Sequence, residues 1–115
     1  MGNLFDIKEK KTPLKIGSQT KYLHYDLNAF AELEEIYGSI DEAMNALSKG
    51  SMRAVINILW AGLIHEDEEL AKKEIGKMFD LSQMQTIGES INKAIILAMP
   101  EQKEINPKLK KNNNT

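Results

Sequence analysis

The sequence contains no cysteine. That removes disulfides, thiolate metal sites and cysteine nucleophiles together, and it fits a reducing compartment. Proline is sparse, at three residues, and there is a single tryptophan. Charge of one sign is not in excess. Fifteen Lys and Arg face seventeen Asp and Glu, a net −2, so no global basic field favours nucleic acid. No apolar run reaches the ~18–20 residues that span a bilayer. MGNLFDIKEKK lacks the long apolar core of a secretory signal. Gly2 follows Met1, but Asp6 stands where a myristoylation signal wants Ser or Thr. A cytosolic protein without a lipid anchor is expected.

What remains is 115 residues, enough for one domain and one modest core, with 42% apolar and 28% charged residues. Residues 1–12 are polar and charged and are expected to be a flexible N-terminus. From Pro13, Leu14 and Ile16 alternate with Lys15, and Tyr22, Leu23 and Tyr25 follow Gly17-Ser18-Gln19-Thr20. Short alternation around a Gly-Ser turn predicts a β-hairpin. Two strands alone are marginal, so the hairpin must lean on helices.

At Asp26 the period changes. Asp26 is a candidate N-cap, and Leu27, Phe30, Leu33, Ile36 and Tyr37 recur at three- and four-residue steps until Gly38. Ser39-Ile40-Asp41-Glu42 has the S-x-x-E capping-box spacing, and Ile40, Ala43, Met44 and Leu47 line the helix behind it, up to Gly50. Ser51 can cap a third helix. Its broad stripe is Met52, Val55, Ile56, Leu59, Trp60, Leu63 and Ile64, and Ala54, Ile58, Ala61 and Gly62 leave little polar surface opposite. A helix apolar nearly all round belongs inside a bundle or under a partner. Leu70, Ile75, Met78 and Phe79 mark a short helix, interrupted by Gly76 and ending near Asp80. Asp80-Leu81-Ser82-Gln83 caps a last helix carrying Met84, Ile87, Gly88, Ile91, Ala94, Ile95 and Ala98, closed by Pro100. EQKEINPKLKKNNNT, residues 101–115, is expected to be a disordered tail. The fold class is therefore mainly α: a small N-terminal hairpin, then about five short helices, in one domain over residues 13–100.

Candidate chemistry is thin. In LWAGLIHEDEEL, His65 precedes Glu66, Asp67, Glu68 and Glu69. Helical metal sites need ligands at i, i+3 or i, i+4, as in H-E-x-x-H, and no second histidine stands there. His24 is in the hairpin. The calcium-loop spacing and its central glycine are also missing. Acidic residues are favoured in a first helical turn, so the spacing favours a junction whose carboxylates begin the next helix. Glu34 and Glu35 point to different sides of a helix, and no G-x-S-x-G hydrolase motif occurs. Gly17, Gly38 and Gly50 are separate stops, not a phosphate loop. A DNA-reading helix would be basic, but the third helix has only Arg53, the last only Lys93, and Lys72, Lys73 and Lys77 share a helix with Glu74. No catalytic residue, metal or cofactor is implied. Met44, Met52, Met78, Met84 and Met99 sit at helical apolar positions. They suit a core, and they equally suit a flexible apolar groove for helical segments.

YDLNAFAELEEIYGSIDEAMNALSKGSMRAVINILWAGLIHEDEEL, residues 25–70, resembles the core of the tail assembly chaperones of long-tailed phages and prophages. The likeness rests on the aromatic-or-apolar Asn-Ala start with its acidic LEE turn (Asp26–Gly38), the G-S-I-D-E-A capping box (Gly38–Ala43) and the I-L-W-A-G-L-I-H-E-D helix (Ile58–Asp67). It extends from about Leu14 to Pro100. The resemblance implies a non-enzymatic protein of the bacterial host cytoplasm, absent from the mature virion. Such chaperones coat the tape measure protein and help tail tube protein polymerise around it. A second copy of the chain is a further candidate partner, and neither nucleic acid nor a membrane is. An adaptable groove suits a long helical client, as in helix-in-groove recognition, with avidity from repetition. The candidate partner-binding residues are Trp60, Leu63, Met84, Ile87 and Ile91, which would serve equally as core.

In this family a ribosomal frameshift often yields a longer product. Lys110-Lys111-Asn112 can be encoded by a slippery A-AAA-AAC, which would make this chain the short, unshifted product. An AT-rich genome writes the same residues, and the DNA decides. The alternatives to a chaperone are a small helical DNA-binding regulator and a structural head–tail component. A salt-sensitive gel shift would favour the first, and presence in purified particles the second.

Overall fold

The computed structural model describes residues 11–100. The N-terminal segment up to residue 10, the tail from residue 101 and the frameshift expected at Lys110–Asn112 lie outside the described residues. Within them the expected order of elements is present: an antiparallel hairpin followed by five α-helices.

Strands β1 (Thr12–Ile16) and β2 (Gln19–Leu23) pair from Thr12↔Leu23 to Ile16↔Gln19. Gly17, at φ 63°, and Ser18 form the two-residue turn between them. Positive φ at the first central residue alone is the II′ pattern, which glycine supplies without steric cost. β1 starts at Thr12, one residue before Pro13. Leu14 and Leu23 turn into the core while Pro13 and Lys15 face out.

Three helices then follow in quick succession, each opened by the cap its sequence offers. Helix α1 (Leu27–Tyr37) starts where Asp26 accepts from the Ala29 N–H at 2.9 Å. It ends at Gly38 (φ 93°), whose N–H reaches Glu34 O at 2.7 Å. Helix α2 (Ile40–Ser48) starts where Ser39 Oγ accepts from Glu42 N–H, and helix α3 (Met52–Leu63) where Ser51 Oγ accepts from Ala54 N–H. Such caps satisfy backbone donors that a helix start would otherwise leave orphaned.

α3 is the central element, packed against α1, α2, β2, α4 (Lys72–Met78) and α5 (Met84–Ala98). Burial runs most of the way round it, and of the broad stripe Val55, Leu59 and Leu63 are buried. Ala54, Ile58, Ala61 and Gly62 are sealed, while Met52 is 51% exposed and Ile56, Trp60 and Ile64 are half-buried. Small residues decide this, because they let α1 and the hairpin approach the α3 backbone. A Cβ at Gly62 would stand 2.6 Å from Tyr25 Cζ and 2.8 Å from its hydroxyl oxygen. Tyr25 lies flat in that gap and donates its hydroxyl to Ile58 O at 2.7 Å. Burial raises the Tyr25 pKa above its ordinary value and keeps the hydroxyl protonated as a donor. Beside it, the His24 N–H donates to Gly62 O at 2.9 Å.

The later half departs from expectation in three places. Glu66–Glu69 do not begin a helix; they form an exposed loop, and α4 starts only at Lys72. Asp67 holds this loop, its side chain accepting from Glu69 N–H at 3.1 Å and its carbonyl from Leu70 N–H at 3.1 Å. Short Asp side chains favour such local turns over helix. Trp60 fixes the far end, donating Nε1–H to Leu70 O at 2.9 Å. Second, α4 runs through Gly76 without a break and stops at Met78. Third, the last helix begins with a 3₁₀ turn over Leu81–Gln83 before α5. There the Asp80 carboxylate accepts from Ser82 N–H, and Gln83 Oε1 accepts from Asp80 N–H, the reciprocal pair expected. α5 lays Ile87, Ile91, Ala94 and Ile95 against the hairpin and α3. No described helix is long and apolar enough to cross a membrane.

Candidate partner-binding groove

α4 and the start of α5 both rest on α3, and a gap opens between them. Its floor is Val55, Leu59, Ile75 and Ile87, all buried. Its rim carries Met52, Phe79, Leu81 and Met84. The gap is an apolar groove of about 360 Å³. Only Asp80 adds a charged side chain to the lining, and that carboxylate is turned to the Ser82 backbone. Leu81 is 69% exposed and Met52 51%, so the rim presents large apolar side chains to solvent. A second cavity of about 510 Å³ adjoins the groove, sharing Val55 and Met84 with it and continuing between α2 and α5 past Met44, Leu47 and Gly88. Together they run along one side of the molecule, with Met84 as the ridge between them.

The local reason for the opening is the break between α4 and α5. The Asp80 cap turns the chain, and Phe79 at φ −132°, ψ 160° is extended. A seven-residue helix then a new N-terminus cannot close over α3 as one continuous helix would. A helical glycine lines each cavity, Gly76 the groove and Gly88 the second. At Gly88 an added Cβ would meet nothing within 4 Å, and at Gly76 only Ile56 Cδ1 at 3.6 Å. Neither helical glycine is required by the chain's own packing.

The five sequence-derived candidates are divided by the structure. Met84 and Ile87 line the groove, Met84 half-buried and Ile87 as floor. Leu63 and Ile91 are 1% and 0% exposed and line neither cavity, so they are core and not surface. Leu63 stands four residues after Leu59 and Ile91 four after Ile87, so both continue the groove-facing rows beyond the end of the groove. Trp60 lies away from the groove. Its indole is half-buried, clamps the loop at Leu70, and carries Lys72 Nζ 4.6 Å above the ring. Met52, Ile56, Phe79 and Leu81 were not among the candidates. Met52 and Leu81 each directly follow a capping residue, Ser51 and Asp80, and an apolar residue in that position is the signal that could have found them.

His65 bridges to the hairpin: its Nε2 meets Tyr22 O at 2.7 Å, and its ring stands edge-on to His24 with centroids 5.4 Å apart. A smaller cavity of about 300 Å³ beside it is lined by Asp26, Glu32, Trp60 and Glu68, among others. Among the described residues no three His, Asp or Glu side chains converge as a metal site. No protein-family model, curated protein or solved structure matches the chain.

Proposed function

We propose that this protein is a phage or prophage tail assembly chaperone that binds helical segments of the tape measure protein in the groove between α4 and α5. The observation that carries the reading is that groove: about 360 Å³, apolar, edged by Met52, Leu81 and Met84. An amphipathic helix laid there would bury its apolar face, in the manner of other helix-in-groove complexes. Methionine side chains, unbranched and polarizable, fit successive segments of different shape. The family resemblance of residues 25–70 supports the tape measure protein as the client, with the work done in the bacterial host cytoplasm before the tail tube protein displaces the chaperone from the finished particle. Each contact is weak, and repetition along a long client supplies the avidity.

The test is to co-express the chain with a tape measure fragment. A soluble complex that co-elutes on a sizing column is the expected result. A fragment that stays insoluble, with the chain eluting alone, removes the reading.

A further inference from the structure

We propose that Met52 is a reversible oxidation site, and that its sulfoxide closes the groove to helical clients. The inference rests on the chaperone reading for its client and adds a control which that reading does not contain. It begins with where the sulfur lies. The chain has six methionines and no cysteine, so thioethers are its only sulfur. Three of the five methionines among the described residues line the two adjoining cavities: Met52 and Met84 the groove, Met84 and Met44 the second. Met44, Met78 and Met84 are half-buried and packed against the core. Met52 and Met99 are exposed, at 51% and 40%. Met99 lines neither cavity. Among the described residues, Met52 is therefore the one thioether that both stands in solvent and edges the groove.

The oxidant is hydrogen peroxide. The Met52 sulfur lone pair attacks one peroxide oxygen, an S–O bond forms as the O–O bond breaks, and the thioether gives up two electrons. The departing hydroxide takes up a proton and leaves as water. The product is methionine sulfoxide, which methionine sulfoxide reductases return to the thioether. In the free chain the new oxygen stays solvated, because Met52 opens α3 with half of its surface in water. The fold therefore does not respond. With a client helix laid over the rim, the oxygen loses that water. No side chain lining the groove offers an N–H or O–H in its place: the lining is apolar apart from the Asp80 carboxylate, which only accepts. A polar oxygen buried without a partner costs binding, roughly tenfold in affinity. One oxygen atom thus separates binding from folding.

The test treats the full chain with hydrogen peroxide only until Met52 is converted. Peptide mass spectrometry follows each methionine, and titration gives the affinity for a tape measure fragment. Met52 and Met99 are expected to convert several-fold faster than Met44, Met78 and Met84. Affinity should fall roughly tenfold at an unchanged urea midpoint, and methionine sulfoxide reductase should restore it. Met52→Leu keeps the apolar bulk, so it should bind like the wild type and hold its affinity through the same treatment. Met99→Leu should lose affinity as the wild type does. Met52 converting no faster than Met84, a Met52→Leu variant that weakens as the wild type does, or a midpoint that falls with the affinity overturns the proposal. Unchanged affinity with Met52 fully converted also overturns it and leaves the chaperone reading standing. An untreated chain that binds no fragment removes both.

Discussion

The two sides of α3 are built on opposite rules. On the side toward Tyr25 and the hairpin, Ala54, Ala61 and Gly62 remove side-chain bulk, the neighbours close in, and Tyr25 reaches Ile58 O directly. On the side toward α4 and α5 the residues are large, yet the packing is open, and Met52 and Leu81 stand in solvent. Helix glycines show the same contrast. Gly62 is indispensable because Tyr25 occupies the space of its missing Cβ, while Gly88 faces nothing of the chain's own. Large apolar residues are not sufficient for a core. What seals an interface is complementarity, and what leaves a groove is its absence. Under the proposed function the sealed side serves stability and the open side is where a partner would bind.

That division can be attacked first where the effect is largest. Tyr25→Ala removes the buried ring and leaves a cavity, and a loss of about 3–5 kcal/mol is expected by urea unfolding. Gly62→Ala forces a methyl against the Tyr25 ring and should cost about 1–3 kcal/mol in the same assay. A cost below the noise of the melt would show that the sealed side is looser than described. Tyr25→Phe deletes only the hydrogen bond to Ile58 O, for a loss of about 1 kcal/mol. It also tests the hydroxyl's protonation. The folded pKa of Tyr25 is raised above the unfolded value near 10, so its contribution is intact below pH 10 and declines as pH rises above it. The wild type should therefore lose stability between neutral pH and pH 11 by more than Tyr25→Phe does. Smallest of all, and of opposite sign, is Gly88→Ala. With nothing within 4 Å of the new methyl, replacing a helical glycine should stabilise by about 0.5–1 kcal/mol. A destabilised Gly88→Ala would mean that this part of α5 is packed and not open.

Much of the fold was legible because its signals are local. Asp26, Ser39, Ser51 and the Asp80–Gln83 pair open helices where their spacing says, and Gly17 and Gly38 turn the chain at positive φ. The misreadings have one physical root, that periodicity shows which residues are apolar and not how closely neighbours can approach them. Of the stripe Met52, Val55, Ile56, Leu59, Trp60, Leu63 and Ile64, Val55, Leu59 and Leu63 are buried while Met52, Ile56, Trp60 and Ile64 are not, and periodicity alone could not separate them. Glu66–Glu69 suited a first helical turn by charge, but the Asp67 turn and the Trp60 bond to Leu70 hold them in a loop. Both depend on partners that lie apart from the run itself. Of the candidate site, Met84 and Ile87 were legible as the groove-facing start of α5. Leu63 and Ile91 share their apolar character and period and differ only in what packs on them.

The central claim is that the open side binds a helix while the sealed side does not take part. Met52→Asp/Leu81→Asp places charge on the rim at two exposed positions. The first of the two new carboxylates falls in the opening turn of α3, where negative charge is tolerated, so each change should alter stability by less than about 0.5 kcal/mol. The decisive measurement is co-elution of a tape measure fragment with the wild type and with this double variant on a sizing column. The account predicts a complex with the wild type and none with the variant, at unchanged unfolding midpoints. A variant that binds as well as the wild type would contradict it.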